Sequence, residues 1–217
     1  MANLQIPRIC MVKQIEREIK DKRVLDIMAR VPREMFVPTA QRCVAYDDRP
    51  LPIGLGQTIS QPLMVAIMTE ALDLKVEDYV LEVGSGSGYQ AAILAELAGY
   101  VISVERHPEL IQKARDVLSK LGYKNVVVHQ SKETTIGWPL EAPYDAIVVT
   151  AGAPDVPSEL VDQLADGGRL VIPVGPRERQ QLLKLVKQGH QTITQMLGTC
   201  TFVPLVGPGA WDEYQVY

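Results

Sequence analysis

Between Tyr79 and Gly88 the chain reads Tyr-Val-Leu-Glu-Val-Gly-Ser-Gly-Ser-Gly, and Tyr89-Gln-Ala-Ala-Ile-Leu-Ala95 follows. An apolar run suited to a buried strand breaks at three alternating glycines and resumes at helical spacing. Such a strand–loop–helix unit opens a nucleotide-binding α/β sheet, in which glycines let the backbone approach a ligand closely. The spacing then narrows the ligand. A dinucleotide site asks for G-x-G-x-x-G, with the pyrophosphate against the helix N-terminus. Here the third glycine, Gly88, comes one residue early, and Tyr89 fills a position that this pattern keeps small. No Lys-Ser/Thr pair follows, which excludes a phosphate-binding P-loop. Gly84, Ser85, Gly86, Ser87 and Gly88, with acidic Glu82 two residues ahead, form either a ligand cradle of another kind or a tight turn that binds nothing.

A second acid bears on that choice. Val101-Ile-Ser-Val-Glu105 is another short apolar run, and Glu105 closes it about 20 residues after the glycines, where a strand-tip carboxylate meets a ribose. An anion there can accept from both ribose hydroxyls. Glu105 also suits the acidic approach to a helix beginning near Pro108. The two roles are compatible, and the distance from the glycine loop favours the ribose.

Periodicity gives the rest of the architecture. Ile15, Ile19, Val24, Ile27 and Met28 recur at helical spacing between Gln5 and Arg30, predicting one or two amphipathic helices. Two prolines make residues 30–38 a structured loop, and Pro50-Leu-Pro-Ile-Gly-Leu-Gly56 reads as an irregular segment. Met64 to Leu74 is helical again. Strands are predicted at 79–83, 100–105, 125–129, 144–149, 168–173, 181–187 and 195–203, with helices near 88–98, 108–121 and 156–165. This alternation predicts an α/β fold: a doubly wound, mostly parallel seven-stranded sheet with an N-terminal helical addition, ending in hairpin-like strands. The 217 residues, without repeats or a linker, fit a single domain over 1–217.

Bulk properties limit the setting. A net charge of −4 argues against a general nucleic-acid binder. Cys10, Cys43 and Cys200 are too few and too scattered for a disulfide frame or zinc site, and suit a reducing compartment. No apolar run approaches the roughly 18 residues of a membrane span, and no signal pattern stands at the N-terminus. The expectation is a soluble cytoplasmic monomer without metal, membrane or nucleic-acid partners.

A G-x-G-x-G loop with Glu82 ahead of it resembles the first motif of S-adenosylmethionine (SAM) methyltransferases. Other motifs restrict the methyl acceptor. Amino-group methylases carry Asn/Asp-Pro-Pro-aromatic after the fourth strand, where this chain has Val149-Thr-Ala-Gly-Ala-Pro154. No Pro-Cys nucleophile stands there either. His107, His129 and His190 are scattered, without a carboxylate pair or metal triad to deprotonate a hydroxyl. The acceptor that remains is already anionic at neutral pH: a carboxylate, which needs alignment with the methyl group and no general base.

Val31-Pro-Arg-Glu34, Pro50-Leu-Pro-Ile-Gly54 and Gly56-Gln-Thr-Ile-Ser-Gln-Pro62 precede the glycine loop. Ala142-Pro-Tyr-Asp-Ala-Ile147, Gly167-Gly-Arg-Leu-Val171, Pro173-Val-Gly175 and Phe202-Val-Pro-Leu205 follow it. In this order they resemble the protein-L-isoaspartate O-methyltransferase family from about Ile19 to Leu205. The resemblance implies a Rossmann-like SAM-binding core over 76–205, an N-terminal part with the active-site loop over 1–75, and a tail over 206–217. It implies methylation of the free α-carboxylate of L-isoaspartyl residues in damaged proteins and peptides. The ester then collapses to a succinimide, whose hydrolysis returns part of the material to aspartate. By position, Ser60 matches the family's active-site hydroxyl, and Thr58, Ile59 and Gln61 share its loop over the methionine part of SAM. Glu82, Gly84 to Gly88 and Glu105 would hold the rest of the cofactor. Ile53, Thr58, Ser60, Val203, Pro204 and Leu205 would meet the substrate, with core packing an equal alternative for Val203 and Leu205. One departure stands out: Lys132-Glu133-Thr134 occupies the place of a usual Gly-Asp-Gly at the adenine. Glu133, with Thr134 beside it, could still accept from the adenine amine, and strain is expected if either glycine position needs positive φ. Two rival readings remain: a SAM methyltransferase of another carboxylate or of RNA, and a SAM- or protein-binding module without turnover.

Overall fold

The computed structural model describes residues 4–212. The chain begins with helices α1 (Gln5–Ile15) and α2 (Lys22–Arg30), the second capped by Asp21, whose carboxylate accepts from Arg23 N at 2.9 Å. Two short 3₁₀ turns, Arg33–Met35 and Thr39–Val44, lead into a hairpin of β1 (Leu51–Gly54) and β2 (Gln57–Ile59). The sequence predicts an irregular segment over 50–56, and the structure forms a hairpin there. Leu51, Ile53 and Ile59 alternate inward, while Gly54 and Gly56 supply the positive φ that the tight turn at Leu55 requires. Helix α3 (Pro62–Leu72) follows, with proline at its first turn.

The main sheet contains β3 (Tyr79–Val83), β4 (Tyr100–Glu105), β5 (Val126–Gln130), β6 (Tyr144–Val149), β7 (Leu164–Val174), β8 (Gln180–Gln188) and β9 (Gln191–Cys200). Its spatial order is β5-β4-β3-β6-β7-β8-β9. The first five are parallel, and β8 and β9 close the sheet antiparallel. Helices α4 (Tyr89–Ala95), α5 (Pro108–Lys120) and α6 (Ser158–Asp162) supply crossovers. Central strands are apolar at nearly every position because both faces are covered. Val80, Val101, Ala146 and Val148 face the layer built from α1 to α5. Their neighbours Leu81, Ile102, Ile147 and Val149 face α6 and the segment around Ile136 and Leu205. The layers are therefore unequal: among the described residues, five α-helices cover one face and one covers the other.

Strands β3, β4 and β6 fall where the apolar runs predict them. At the far end, α6 stops at Asp162 and β7 starts early at Leu164, across an irregular pairing between Tyr144 and Ala146. Strand β9 starts at Gln191, not 195, because the Gly189-His190 turn pairs Gln188 with Gln191. Its first residues are exposed and, apart from Ile193, polar, so they carry little hydrophobic signal. Arg169 ties α3 to the sheet. It donates to Leu72 O at 2.8 Å, Asp145 O at 2.9 Å and Asp73 O at 3.0 Å, and pairs with Asp78. Strand order reverses beside β3, so a crevice opens at the carboxyl ends of β3, β4 and β6.

Candidate active site

The glycine loop is folded as its residues require. Gly84, Gly86 and Gly88 hold φ of 101°, 51° and 85°. A side chain on Gly84 would run into Thr150 Oγ1, whose hydroxyl donates to Gly84 O at 2.6 Å. The N–H groups of Gly84 and Ser85 donate to Val104 O at 2.8 and 3.1 Å. The loop is thus stitched to the ends of both neighbouring strands.

Glu105 ends β4 at the mouth of the cleft that Gly84, Gly86 and Thr150 also line. It accepts from Gly86 N at 2.9 Å, Arg106 N at 2.8 Å and His107 N at 3.0 Å. A carboxylate offers about four acceptor directions, so these donors fix the group and leave about one for a ribose hydroxyl. Capture of both hydroxyls requires one of the backbone donors to share. Backbone open at Gly86, a fixed anion at the strand tip and apolar Ile136 and Leu205 on the wall fit the adenosyl half of SAM.

Glu82 sits elsewhere than sequence reading placed it. It is 0% exposed and does not line the cleft. Ser103 Oγ donates to it, Ser103 and Ser85 share a hydrogen bond between their hydroxyls, and Glu82 Oε1 has no partner. Burial pushes its carboxyl up to about 8, against the opposing pull of the Ser103 hydroxyl, with the Glu105 charge adding to the rise. Glu82 reaches the loop only through this serine relay. Ser85 likewise points inward.

Ser60 follows β2 and lines two spaces. One is a small cavity under the glycine loop bounded by Ser87, Tyr89 and Thr150. The other is an outer groove floored by Pro50, Met64, Phe202 and Val203. Thr58 and Thr150 border both of these and also the cofactor cleft. Ile59 borders the loop cavity as well but is only 4% exposed, packed into the core. The Gln61 amide donates to Asp48 at 2.8 Å, and Asp48 also accepts from Leu63 N at 2.9 Å, pinning the start of α3. Ile53 lies buried under Gly86 and borders a different depression, beside Phe36 and Leu110.

Val203 and Pro204 line the cleft half-exposed, and Leu205 lines it from the core layer beside α6, where it is 6% exposed. The segment pairs with Gly152: Gly152 N donates to Val203 O and Leu205 N to Gly152 O, both at 2.8 Å. Of the tail, Trp211 donates to Gly152 O at 3.1 Å, and residues 213–217 lie outside the described ones.

The replacement at the adenine position has a specific geometry. Lys132 lines the cleft and lies 5.5 Å from the centroid of the Trp138 ring, which stacks on His129 at 4.3 Å. Glu133 and Thr134 are exposed and do not line the cleft; Glu133 borders an outer depression with residues 206–212. Among the described non-glycine residues only Leu55 and Asp73 have positive φ, so neither Lys132 nor Thr134 carries left-handed strain. Sequence reasoning also missed Thr150, Asp48 and Arg33. Arg33 stands in the Val31-to-Glu34 motif and Thr150 in the segment after the fourth strand, and nothing in the sequence marks the one as buried or the other as lining the cleft.

A glycine loop at the switch point, a fixed acid at the next strand tip and no phosphate-loop pattern define a SAM methyltransferase of the Rossmann-like class. The family model for protein-L-isoaspartate(D-aspartate) O-methyltransferase matches residues 8–209. Curated relatives with that name include a protein of Methanoculleus marisnigri, 56% identical over 90% of this chain and 89% of its own. Another, from Syntrophobacter fumaroxidans, is 52% identical over 98% of this chain and 100% of its own. A solved protein-L-isoaspartate O-methyltransferase superposes with a TM-score of 0.83 at 26% identity, over 94% of this chain and 67% of that one. A Plasmodium falciparum candidate for the same activity, solved with S-adenosyl-L-homocysteine, gives 0.76 at 26% identity, over 90% and 96%. The chain belongs to the protein-L-isoaspartate O-methyltransferase family.

Proposed function

We infer that this chain transfers the methyl group of SAM to the free α-carboxylate of L-isoaspartyl residues in proteins and peptides, as its family membership implies. The observation that carries the residue assignment is the position of Ser60, at the junction of the loop cavity and the outer groove. SAM, when bound, supplies an electrophilic methyl group on a positively charged sulfur. Glu105 and the glycine-loop backbone hold the nucleoside half. Ser60 Oγ–H donates to the substrate carboxylate and turns one oxygen toward the methyl group. Thr58 and Thr150 separate the two ligands. An isoaspartyl α-carboxylate is ionised at neutral pH, so no side chain is needed to remove a proton. The outer groove receives the peptide along Phe202 and Val203, where pairing with main chain leaves flanking side chains largely unread.

The reading includes a cytoplasmic monomer without nucleic-acid partners. The net charge of −4 and three free cysteines, two of them exposed, support that setting. Among the described residues no helix is long and apolar enough to cross a membrane.

The test is methyl transfer from labelled SAM to paired peptides that differ only in L-isoaspartate or L-aspartate at one position. Base-labile label on the isoaspartyl peptide alone is expected. No transfer to either peptide, with SAM bound, would overturn the reading. Ser60→Ala removes a hydrogen bond to a charged group, worth about 1.5–3 kcal/mol, and is expected to lower turnover about 10- to 150-fold. SAM affinity is expected to stay within about threefold. Parental turnover at saturating peptide would remove Ser60 from the site.

A further inference from the structure

Val31-Pro-Arg-Glu34 is a quoted motif to which neither the cofactor cleft nor the outer groove gives a role. Its arginine is 0% exposed. Arg33 Nε donates to Ala45 O at 2.8 Å and Nη2 to Ser60 O at 2.7 Å. Its guanidinium carbon lies 4.9 Å from the centroid of the Tyr89 ring. Arg33 Nη1 and the Tyr89 hydroxyl are both buried, and beyond the polar contact between these two side chains neither has a partner. No carboxylate forms an ion pair with Arg33 among the described residues. Glu34 is held by Arg8 and Tyr46, and Asp48 by Gln61 and the Leu63 amide.

A buried guanidinium with no direct ion pair, only the charge of Asp48 nearby, is costly, and an apolar chain of similar volume would fill the space at lower cost. Its geometry gives it another purpose. The three segments it touches are those that build the site: Ala45 opens the stretch leading to Pro50, Ser60 follows β2, and Tyr89 begins the helix after Gly88. Holding the Ser60 carbonyl fixes the peptide plane that follows it, and with it the direction of the Ser60 side chain. Arg33's planar fork can hold two carbonyls and stack on a ring at once, which a lysine cannot do.

We propose that Arg33 is a positioning residue for methyl transfer, its buried fork aligning Ser60 with the glycine-loop helix through Tyr89. The proposal rests on the reading of Ser60 given above. It predicts a loss in kcat with little change in SAM affinity, since Arg33 does not border the cofactor cleft.

The test compares Arg33→Met, Arg33→Ala and Arg33→Lys with the parent and with Ser60→Ala, using isoaspartyl peptide turnover, SAM titration and thermal unfolding. R33M is expected to fold and to lose at least tenfold in kcat, while its Kd for SAM stays within threefold. R33K, which recovers one hydrogen bond, is expected to fall between R33M and the parent. Millimolar methylguanidinium should restore R33A turnover several-fold and saturably, without effect on S60A. Folded R33M or R33A within twofold of the parental kcat would overturn the proposal, as would a kcat loss matched by an equal loss of SAM binding. Should R33M and R33A fail to fold, R33K decides: a kcat within twofold of the parent overturns the proposal, and a larger loss in kcat with the Kd for SAM within threefold supports it. Failure of all three variants to fold would reduce Arg33 to a structural residue. Parental turnover in S60A would instead refute the reading of Ser60. Impaired S60A with normal Arg33 variants would refute only the role of Arg33.

Discussion

The buried carboxyl of Glu82 makes a pH-dependent contribution to stability that can be measured directly. Burial raises it from an ordinary 4.5 to about 8 in the folded protein. Between these values the folded chain holds a proton that the unfolded chain has released. Stability from this group is therefore fully present below about pH 4.5 and falls as pH rises toward 8, at up to about 1.4 kcal/mol per unit. Across the window the loss is on the order of several kcal/mol, an appreciable part of a domain's total. Glu82→Gln resembles the protonated acid at every pH, and its amide oxygen can still accept from Ser103. Urea unfolding of parent and variant at pH 5, 6, 7 and 8, followed by circular dichroism, isolates the group, because titrations that do not feel the Glu82 charge cancel in the difference. The expected difference grows with pH, with E82Q the more stable protein at pH 8. Its affinity for SAM is expected to stay within about threefold, since Glu82 does not border the cleft. A constant offset across this range would refute the reasoning, because it would mean that the folded carboxyl titrates like the unfolded one.

Two further outcomes are expected at the cofactor cleft. Glu105→Ala deprives three backbone N–H groups of their acceptor and the ribose of its anion, so SAM affinity by calorimetry should fall about 10- to 150-fold; a change under threefold would place the ribose elsewhere. The Lys132→Gly, Thr134→Gly double variant should bind SAM no tighter than the parent, because neither residue has positive φ, and a tenfold gain would show strain that the backbone does not carry.

The parts legible in the sequence are those where a single physical rule acts alone. Strands β3, β4 and β6 are buried on both faces, and their unbroken apolar runs fix their limits. The glycine loop is equally plain, because the close approach of Thr150 at Gly84 leaves no room for a side chain. Elsewhere rules compete. Pro52 and two glycines hid the β1–β2 hairpin, whose pairing depends on inward Leu51 and Ile59 more than on local preference. Glu82 and Glu105 are both acids at the carboxyl end of an apolar run, yet only register decides that one enters the core and the other the cleft. Glu133 turns outward while Lys132 takes the cleft wall, a choice set by the stack of Lys132, Trp138 and His129. Arg33 was least legible. A charged side chain is rarely buried without a counter-ion, and what it bonds to lies 12 and 27 residues further along.

The pairing of Gly152 with Val203 and Leu205 also sets an order of completion. Every backbone contact of the glycine loop and of Glu105 is supplied by residues up to Thr150, whereas this wall of the cleft awaits a segment that comes after the β8–β9 hairpin. During vectorial synthesis, N-terminal parts have the first opportunity to fold. The nascent protein can therefore assemble the glycine loop and Glu105 before the wall that closes over either ligand exists. A chain cut short just after β9 would keep the glycine loop and Glu105 but lose Leu205 from the adenosyl wall and Val203 from the outer groove together.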